Sequence, residues 1–327
     1  RSTLLASSAA SDVYKRLVEK GSIGKAYGWQ IGQKSIYKEG EFDQIDRVIW
    51  YLKNQPAFRS ILTEIFVHKD LHEMGLYPCV HGAQFDVTDG KLNLFLNQRS
   101  NDTLAAGSWN VVQYAALVYM LAQVCNLKLG KLSHMIVNSH IYDRHMPYIV
   151  DITLSRAKLV EERLRAINLK DAKDKLSPEA YEALKNFKKH LSSNFDYDSL
   201  IKEAQELEIK IGQYDLSNKD ENHLYFCKDP IDFEKYVKDV TSQEAFERAQ
   251  YIVDTMASYP EFEEILSFKS PKLILDKNVT DFYKFISPKT KDKDGKIIDN
   301  PNSSFSVQDY DYLEEGVKLQ SKVPVAE

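Results

Sequence analysis

The sequence predicts an α+β fold interrupted by a helical insertion, and three observations carry that reading. Helical and strand-like periodicities alternate from Ser11 to about Arg156 with no linker between them. Inside that stretch an Asp89-Gly90 pair separates two strand-like runs, a strong hairpin signal. Residues 157–265 are then rich in Lys, Glu, Ala and Leu, the composition of helices, before strand character returns. The expected organisation is a first core segment over 1–156, a helical insertion over 157–265 and a return to the core over 266–327.

Each element has a local cause. Residues 43–54 (DQIDRVIWYLKN) carry Ile45, Val48, Ile49 and Leu52 at helical spacing, which predicts an amphipathic helix. Residues 61–67 are rich in β-branched and aromatic side chains and predict a strand. The runs AQFDV and KLNLFLN, on either side of Thr88-Asp89-Gly90, predict two antiparallel strands following Cys79. Residues 108–127 are apolar on nearly every face, as in a helix buried on all sides, and Gly130 stands where a helix-to-strand turn would use it. Residues 132–138 predict a core strand. Helix starts are expected at Ser177-Pro178-Glu179, with proline in the first turn, and at Thr241 to Glu244, a capping box. Residues 271–276 and 304–310 return to strand character around a Lys/Asp-rich, mobile loop at 288–299.

Composition narrows the function classes. A net charge of -5 and a pI near 6.0 give no overall basic field, so neither a nucleic-acid backbone nor an anionic membrane surface is implied as a partner. Cys79, Cys125 and Cys227 are few, odd in number and scattered, which argues for a reducing compartment and against a disulfide framework. The most apolar run, 109–125, is broken by Asn110, Gln113 and Gln123 and falls short of the roughly 20 residues of a membrane span. The chain opens on Arg1 with no hydrophobic stretch of signal-peptide length, so cytoplasm is the expected compartment.

The polar residues set in apolar surroundings form a pattern. Pro78-Cys79, then Gln98-Arg99-Ser100-Asn101-Asp102, then Asn110, then His140-Ile141-Tyr142 each stand at the end of a predicted strand or at a helix start. Such ends are where open sheets usually place sites. A cysteine becomes a nucleophile when a nearby cation favours its thiolate, and Arg99 could do that while binding a phosphate through its fork of donors. Taken singly, each residue has a plainer reading. Cys79 alone would be a small buried residue, Arg99 and Asp102 a local ion pair, Asn110 a helix cap, and His140 and Tyr142 structural. His68 and His72 lie four apart without a third ligand, which fits a solvated helix face better than a metal site.

Together these residues resemble the thymidylate synthase family. The segment YPCVHGAQFDVTDGKLNLFLNQRSNDTLAAGSWNVVQYAALVYMLAQ is similar to the family's cysteine strand, hairpin, QRSxD phosphate turn and long buried helix. NSHIYDRH resembles the family's HIYxNH segment, GKAYGWQ its YGxQ turn at Tyr27, and the closing Pro-Val-Ala its C-terminal tail. The resemblance covers residues 11–156 and 270–327. It implies a thymidylate synthase-like fold with a mixed, mainly antiparallel twisted sheet flanked by helices. It also implies folate-dependent one-carbon transfer to carbon 5 of dUMP, with 5,10-methylenetetrahydrofolate as co-substrate and no metal.

In that scheme Cys79 attacks carbon 6 of the pyrimidine, with Tyr27 and Arg99 as its catalytic neighbours. Gln98, Arg99, Ser100, His140 and Tyr142 hold the nucleotide, while Asp102, Gly107 and Ala326 face the folate. Arg59 would be sent across a homodimer interface to the partner's phosphate, and the second arginine of that family pair is Ser60 here. Asn110 can accept from a ring NH and donate to a carbonyl, the pattern of uracil, where the family's cytosine-specific enzymes carry Asp.

The sequence also departs from the family. Val80 stands where His usually follows the cysteine, Ala105-Ala106-Gly107-Ser108-Trp109 replaces Leu-Gly-x-Pro-Phe, Val13 or Tyr14 aligns with a family tryptophan, and Glu327 is charged. Most of the family's N-terminal region has no counterpart here. Smaller or charged groups would admit water to trap the one-carbon unit before hydride arrives. The departures thus favour dUMP hydroxymethylation, as in enzymes of phages with hydroxymethyluracil DNA, where the compartment would be the host cytoplasm. The alternatives are thymidylate synthesis and a catalytically inactive homologue that binds a nucleotide or a partner.

Overall fold

The computed structural model describes residues 23–190, 195–213, 232–241, 243–266, 272–285, 289–291, 297–299 and 304–308. They fall into two units, one built from residues up to His140 with 273–306, the other from 141–272.

The first unit is organised by a four-stranded sheet in the order β3-β4-β5-β7, where β3 is Leu62–Glu64, β4 Val80–Thr88, β5 Lys91–Gln98 and β7 Lys128–Ile136. β3, β4 and β5 are antiparallel neighbours, whereas β7 joins β5 in parallel. The hairpin between β4 and β5 turns through Asp89 and Gly90, both at positive φ, as a tight two-residue turn requires. One face of the sheet carries Val80, Ala83, Phe85, Leu92, Leu94 and Leu96 into the core. Against it lie the helices α2 (Gln44–Asn54) and α3 (Ser108–Val124). Asp43 caps α2 by accepting the Asp46 N–H at 2.8 Å, and Ile45, Val48 and Leu52 are buried as their spacing predicts. Each such side chain contributes about 1.5–3 kcal/mol through burial.

Three details of this unit differ from the sequence reading. Helix α3 is not buried all round: Tyr114, Val118, Leu121 and Ala122 point inward, while Trp109, Val111 and Val112 are exposed. Gly130 lies inside β7, not in the turn before it. An added Cβ there would stand 2.5 Å from the Leu92 carbonyl oxygen, so close approach of two backbones demands glycine. The preceding turn instead uses Asn126 at positive φ. Finally, the stretch read as a mobile loop contains a hairpin, Lys289–Lys291 with Ile297–Asp299. Further along, Lys272–Leu275 pairs with Phe305–Gln308.

Two pairs of short strands also belong to the unit, and the first is the antiparallel hairpin of β1 (Ser35–Tyr37) with β2 (Gly40–Phe42). β6 (Asn101–Asp102) pairs in parallel with β8 (Ser139–His140), setting Asp102 opposite His140. Between β6 and α3 the chain makes a π-helical turn, Thr103–Gly107.

The second unit is helical. Its longest element, α4 (Met146–Ala166), begins with Pro147 in the first turn and buries Val150, Leu154, Ala157, Val160 and Leu164 along one stripe. That stripe shares a core with Ala180, Leu184 and Phe187 of α6 (Pro178–His190), Ile201 and Ala204 of α7 (Asp198–Gln213) and Ala249 and Ile252 of α9 (Glu244–Ser258). The boundary expected at Arg156 therefore falls inside a continuous helix whose buried stripe crosses it. Ser177 starts α6 as expected, accepting the Ala180 N–H. Thr241 does not start α9: it ends α8 (Phe233–Thr241), and its hydroxyl donates to the Val237 carbonyl. A second layer of order is ionic. Glu161, 3% exposed, accepts from Arg248 at 2.8 Å and from the Tyr197 hydroxyl at 2.7 Å, and also pairs with Arg165. No helix among the described residues is long and apolar enough to cross a membrane.

Candidate active site

The sheet's topology gathers the predicted residues at one end. Antiparallel pairing sets Val80 opposite Gln98, and parallel pairing sets Gln98 beside Ile136. Cys79 just before β4, Arg99 to Asp102 after β5 and Ser139–His140 after β7 therefore emerge together. The Arg99 N–H donates to the Cys79 carbonyl at 2.8 Å and the Asn101 N–H to the Asn138 carbonyl at 2.8 Å, which closes this end of the sheet.

Cys79 is half-buried and a free thiol. Its backbone N–H donates to the Tyr27 hydroxyl oxygen at 2.9 Å across 52 residues of chain. Tyr27 itself sits at φ 44, an uncommon conformation for a residue with a side chain, which costs about 1–3 kcal/mol. Its surroundings hold it there. Gln30, buried in the short helix α1 (Gly28–Gly32), donates to the Lys25 carbonyl and to the Asp70 carboxylate, both at 3.0 Å. Gln44 from α2 donates to the Gln30 carbonyl at 2.9 Å, tying the turn to a second element. Burial, and then the neighbouring Cys79 charge, push the Tyr27 hydroxyl up to about 12, so it is protonated at neutral pH. Because its oxygen already accepts from the backbone, its proton remains a donor.

Arg99 lies against the segment that carries Cys79. Its Nε donates to the Pro78 carbonyl and its Nη2 to the Tyr77 carbonyl, each at 3.0 Å, and the guanidinium lies 5.8 Å from the centre of the Phe66 ring. Two of its five donors are thus used internally, and the others remain for an anion. Ser100 is half-buried in the same turn. Asp102 caps the π-helical turn by accepting the Ala105 N–H at 3.1 Å. Gly107 ends that turn, and Asn110 follows, half-buried, in the first turn of α3.

Other expected residues are placed differently. Gln98 is 1% exposed, and its amide faces inward, donating to the Ser100 carbonyl at 2.8 Å. It shapes the turn and is not open to a ligand. The Arg59 side chain is exposed beside β3, and its carbonyl accepts from Gln84. Tyr142 belongs to the helical unit, where its ring meets His145 edge-on at 5.3 Å and Arg144 lies 5.1 Å from its centre. Val80 points into the core at 1% exposure. His68 and His72 lie in a 3-10 helix, His68–Glu73, and among the described residues no group of His, Cys, Asp and Glu is arranged to hold a metal. Ala326, Val13, Tyr14 and Glu327 lie outside the described residues.

Sequence reasoning quoted Gln30 as the glutamine of the YGxQ turn without giving it a task, and missed Phe66, Asp70 and His134. Of these, His134 left a signal: it shares the inward phase of its strand with Leu132 and Ile136, a polar residue where an apolar one is expected.

Comparison with known proteins decides the family. The family model described as thymidylate synthase matches residues 10–196, more than half of the chain. The chain belongs to the thymidylate synthase family. Among similar members, the thymidylate synthase of Clostridium beijerinckii is 44% identical over 130 residues, covering 40% of this chain and 46% of that protein. That of Bacillus phage phi3T is 42% identical over 129 residues, covering 39% and 46%. That of Fusobacterium nucleatum is 38% identical over 157 residues, covering 48% and 56%. The solved thermostable thymidylate synthase A of Bacillus subtilis aligns at 36% identity and a TM-score of 0.39, covering 42% of this chain and 50% of its own. The chain spans about half the length of the curated relatives it matches. Membership agrees with the α+β fold expected from the sequence, and the Cys79 to His140 block lies inside the matched region.

Proposed function

We propose that this chain serves folate-dependent transfer of a one-carbon unit to carbon 5 of dUMP through a covalent adduct at Cys79. The observation that carries the reading is the pairing at Cys79. A half-buried thiol has its backbone fixed by a protonated tyrosine hydroxyl, and Arg99 clamps the two carbonyls that precede it.

The chemistry follows from those groups. Carbon 5 of uracil is a poor nucleophile until the ring's conjugation is broken. The Cys79 thiolate adds to carbon 6, and the ring's π electrons move onto carbon 5 and the carbonyl at carbon 4. Asn110 presents an amide suited to the uracil NH and carbonyl, and the remaining Arg99 donors with Ser100 take the 5′-phosphate. His140 and Tyr142 serve the sugar hydroxyl. Tyr27 supplies a hydroxyl that stays protonated and can pass a proton beside Cys79. Once the one-carbon unit is joined to carbon 5, loss of the carbon 5 proton releases the carrier and leaves an exocyclic methylene on the base. Hydride or water then adds to that methylene, and the electron pair this returns to the ring expels the Cys79 thiolate and restores the carbon 5–carbon 6 double bond.

The end of β6 fits a pterin: Asp102 is a half-buried carboxylate beside a turn of small residues through Gly107. Bound 5,10-methylenetetrahydrofolate supplies the one-carbon unit and, for thymidylate, the hydride.

Thymidylate is the product favoured here, because the similar proteins carry that name and Val80 packs into the core without opening the site to water. Hydroxymethylation stands as the second reading, supported by the small residues Ala105 and Ala106, none of whose turn is buried. Arg59, exposed and away from the Cys79 bonds, fits donation across a homodimer interface. A free thiol nucleophile suits a reducing cytoplasm.

The test is an incubation of the full chain with 5-fluoro-dUMP and 5,10-methylenetetrahydrofolate, followed by mass analysis of the Cys79 peptide. A covalent adduct is expected; its absence, together with no turnover of dUMP, would leave only a nucleotide- or partner-binding homologue. With dUMP, dihydrofolate formed in step with product identifies thymidylate, and product without dihydrofolate identifies the hydroxymethyl compound.

A further inference from the structure

The buried face of the sheet carries one polar pair that the scheme above leaves unused. Gln98 ends β5 on the same face as Leu92, Leu94 and Leu96, and β7 runs beside it with His134 opposite Leu96. His134 Nε2 lies 2.8 Å from Gln98 Oε1, while Gln98 Nε2 is 2.8 Å from the Ser100 carbonyl oxygen. The polarity of this chain is forced. A carbonyl oxygen only accepts, so the Gln98 NH2 must face Ser100 and its oxygen must face His134. His134 must then carry a proton on Nε2. Burial lowers the pKa of His134, which makes the neutral ring the ordinary state and leaves that single proton on the nitrogen facing Gln98.

Ser100 belongs to the turn whose other groups are the Arg99 guanidinium and the Arg99 and Asn101 amides, bonded to the Cys79 and Asn138 carbonyls. Fixing the Ser100 carbonyl fixes the direction in which the turn presents its side chains. We propose that His134 is a positioning residue for anion binding: by donating to Gln98 it locks the amide that holds Ser100, and so aims the Arg99–Ser100 turn at the nucleotide's 5′-phosphate. This rests on the nucleotide reading above. A side chain without a donor at this place leaves Gln98 Oε1 buried and unpaired, or lets the amide turn over and set its oxygen against the Ser100 oxygen.

The experiment compares wild type, His134→Leu, His134→Asn and His134→Gln, all in the full chain. Glutamine can place a donor where Nε2 lies, whereas asparagine is too short and leucine has none. Calorimetry with dUMP and with deoxyuridine separates phosphate recognition from the rest of the site. His134→Leu is expected to weaken dUMP binding about tenfold, the scale of one unpaired buried acceptor, and to leave deoxyuridine within about twofold. His134→Gln should recover most of the dUMP affinity. Equal loss for both ligands, or a glutamine variant no better than leucine, overturns the proposal. Hydrogen exchange at the Arg99 and Asn101 amides supplies a readout without ligand. It should quicken about tenfold in His134→Leu and recover in His134→Gln, while the Phe85 amide stays protected. If leucine does not fold, as loss of Phe85 protection would show, asparagine takes its place. If wild type binds neither ligand, the nucleotide reading fails by itself, and unchanged exchange at the turn would sink the role of His134.

Discussion

The Tyr27 hydroxyl oxygen accepts the backbone N–H of Cys79 at 2.9 Å, so the group expected to move a proton also fixes the backbone of the group expected to attack carbon. Tyr27→Phe removes both the acceptor and the proton. It should lower kcat about a hundredfold or more, with dUMP affinity changed far less, as steady-state kinetics with separate binding measurements will show. The stability effect has a pH signature. The folded pKa is raised from 10.0 to about 12, so the favourable contribution is complete below pH 10 and is lost as pH rises from 10 to 12. The urea-unfolding difference between wild type and Tyr27→Phe should therefore shrink by up to about 2 kcal/mol across that window. A flat difference would show that the hydroxyl is not buried beside Cys79.

Arg59 and Cys79 offer a test of the homodimer. If Arg59 acts on the partner's site, Arg59→Ala and Cys79→Ala proteins are each nearly inactive, but mixing them under exchange conditions builds one complete site in each mixed dimer. Activity should return to roughly a quarter of wild type for random assortment in equal amounts. Arg59 acting within its own chain predicts no recovery. Cys79→Ala alone should retain dUMP binding while losing the covalent adduct with 5-fluoro-dUMP.

Gly130→Ala probes the contact between β5 and β7. The new methyl would meet the Asn93 side-chain oxygen at 2.3 Å and the Leu92 carbonyl oxygen at 2.5 Å. A side chain can swing aside and a paired strand cannot, so the strands must separate locally. The expected cost is about 1–3 kcal/mol, measured by urea unfolding. An Asn93→Gly background should not rescue it.

In the helical unit, Glu161→Gln removes the buried carboxylate that faces the Arg248 guanidinium, itself 5% exposed, and leaves it the longer 3.4 Å contact with the exposed Glu244 carboxylate. Destabilisation of about 3–5 kcal/mol is expected in the unfolding of α4 and α9, followed by hydrogen exchange of their amides. A loss under about 1 kcal/mol would place this pair among solvent-screened ion pairs.

How much of this was legible in the sequence varied with the range of the interaction. The amphipathic helix over 43–54 and the Asp89-Gly90 hairpin are local signals, and both are read directly from neighbouring residues. The Cys79 to His140 motif was legible because its spacings resemble a known family. Gly130 was misplaced because its requirement comes from Leu92, a contact that local turn signals do not reveal. The exposure of Trp109, Val111 and Val112 likewise depends on what packs beside α3, and apolar composition alone cannot tell a buried helix from a partly covered one. Gln98 was expected to hold the nucleotide, while its amide bonds the Ser100 carbonyl and meets His134 on another strand, a non-local contact that the motif does not reveal. The break expected at Arg156 followed a shift in composition, whereas the buried stripe of α4 runs through it unchanged.

The parallel pairing of β6 with β8 has a consequence for how the protein is made. Thr103 and Ser139 bond across 36 residues, a span that includes all of α3 and β7. Parallel pairing cannot be closed by a tight turn, so this end of the site waits until the whole crossover has been synthesised and folded. During translation, Cys79, Tyr27 and Arg99 leave the ribosome well before Ser139 and His140 do. The cysteine's surroundings can assemble first, and the full binding competence of the site arrives late, as a non-local event whose entropy cost is met only when the strands on both sides are in place.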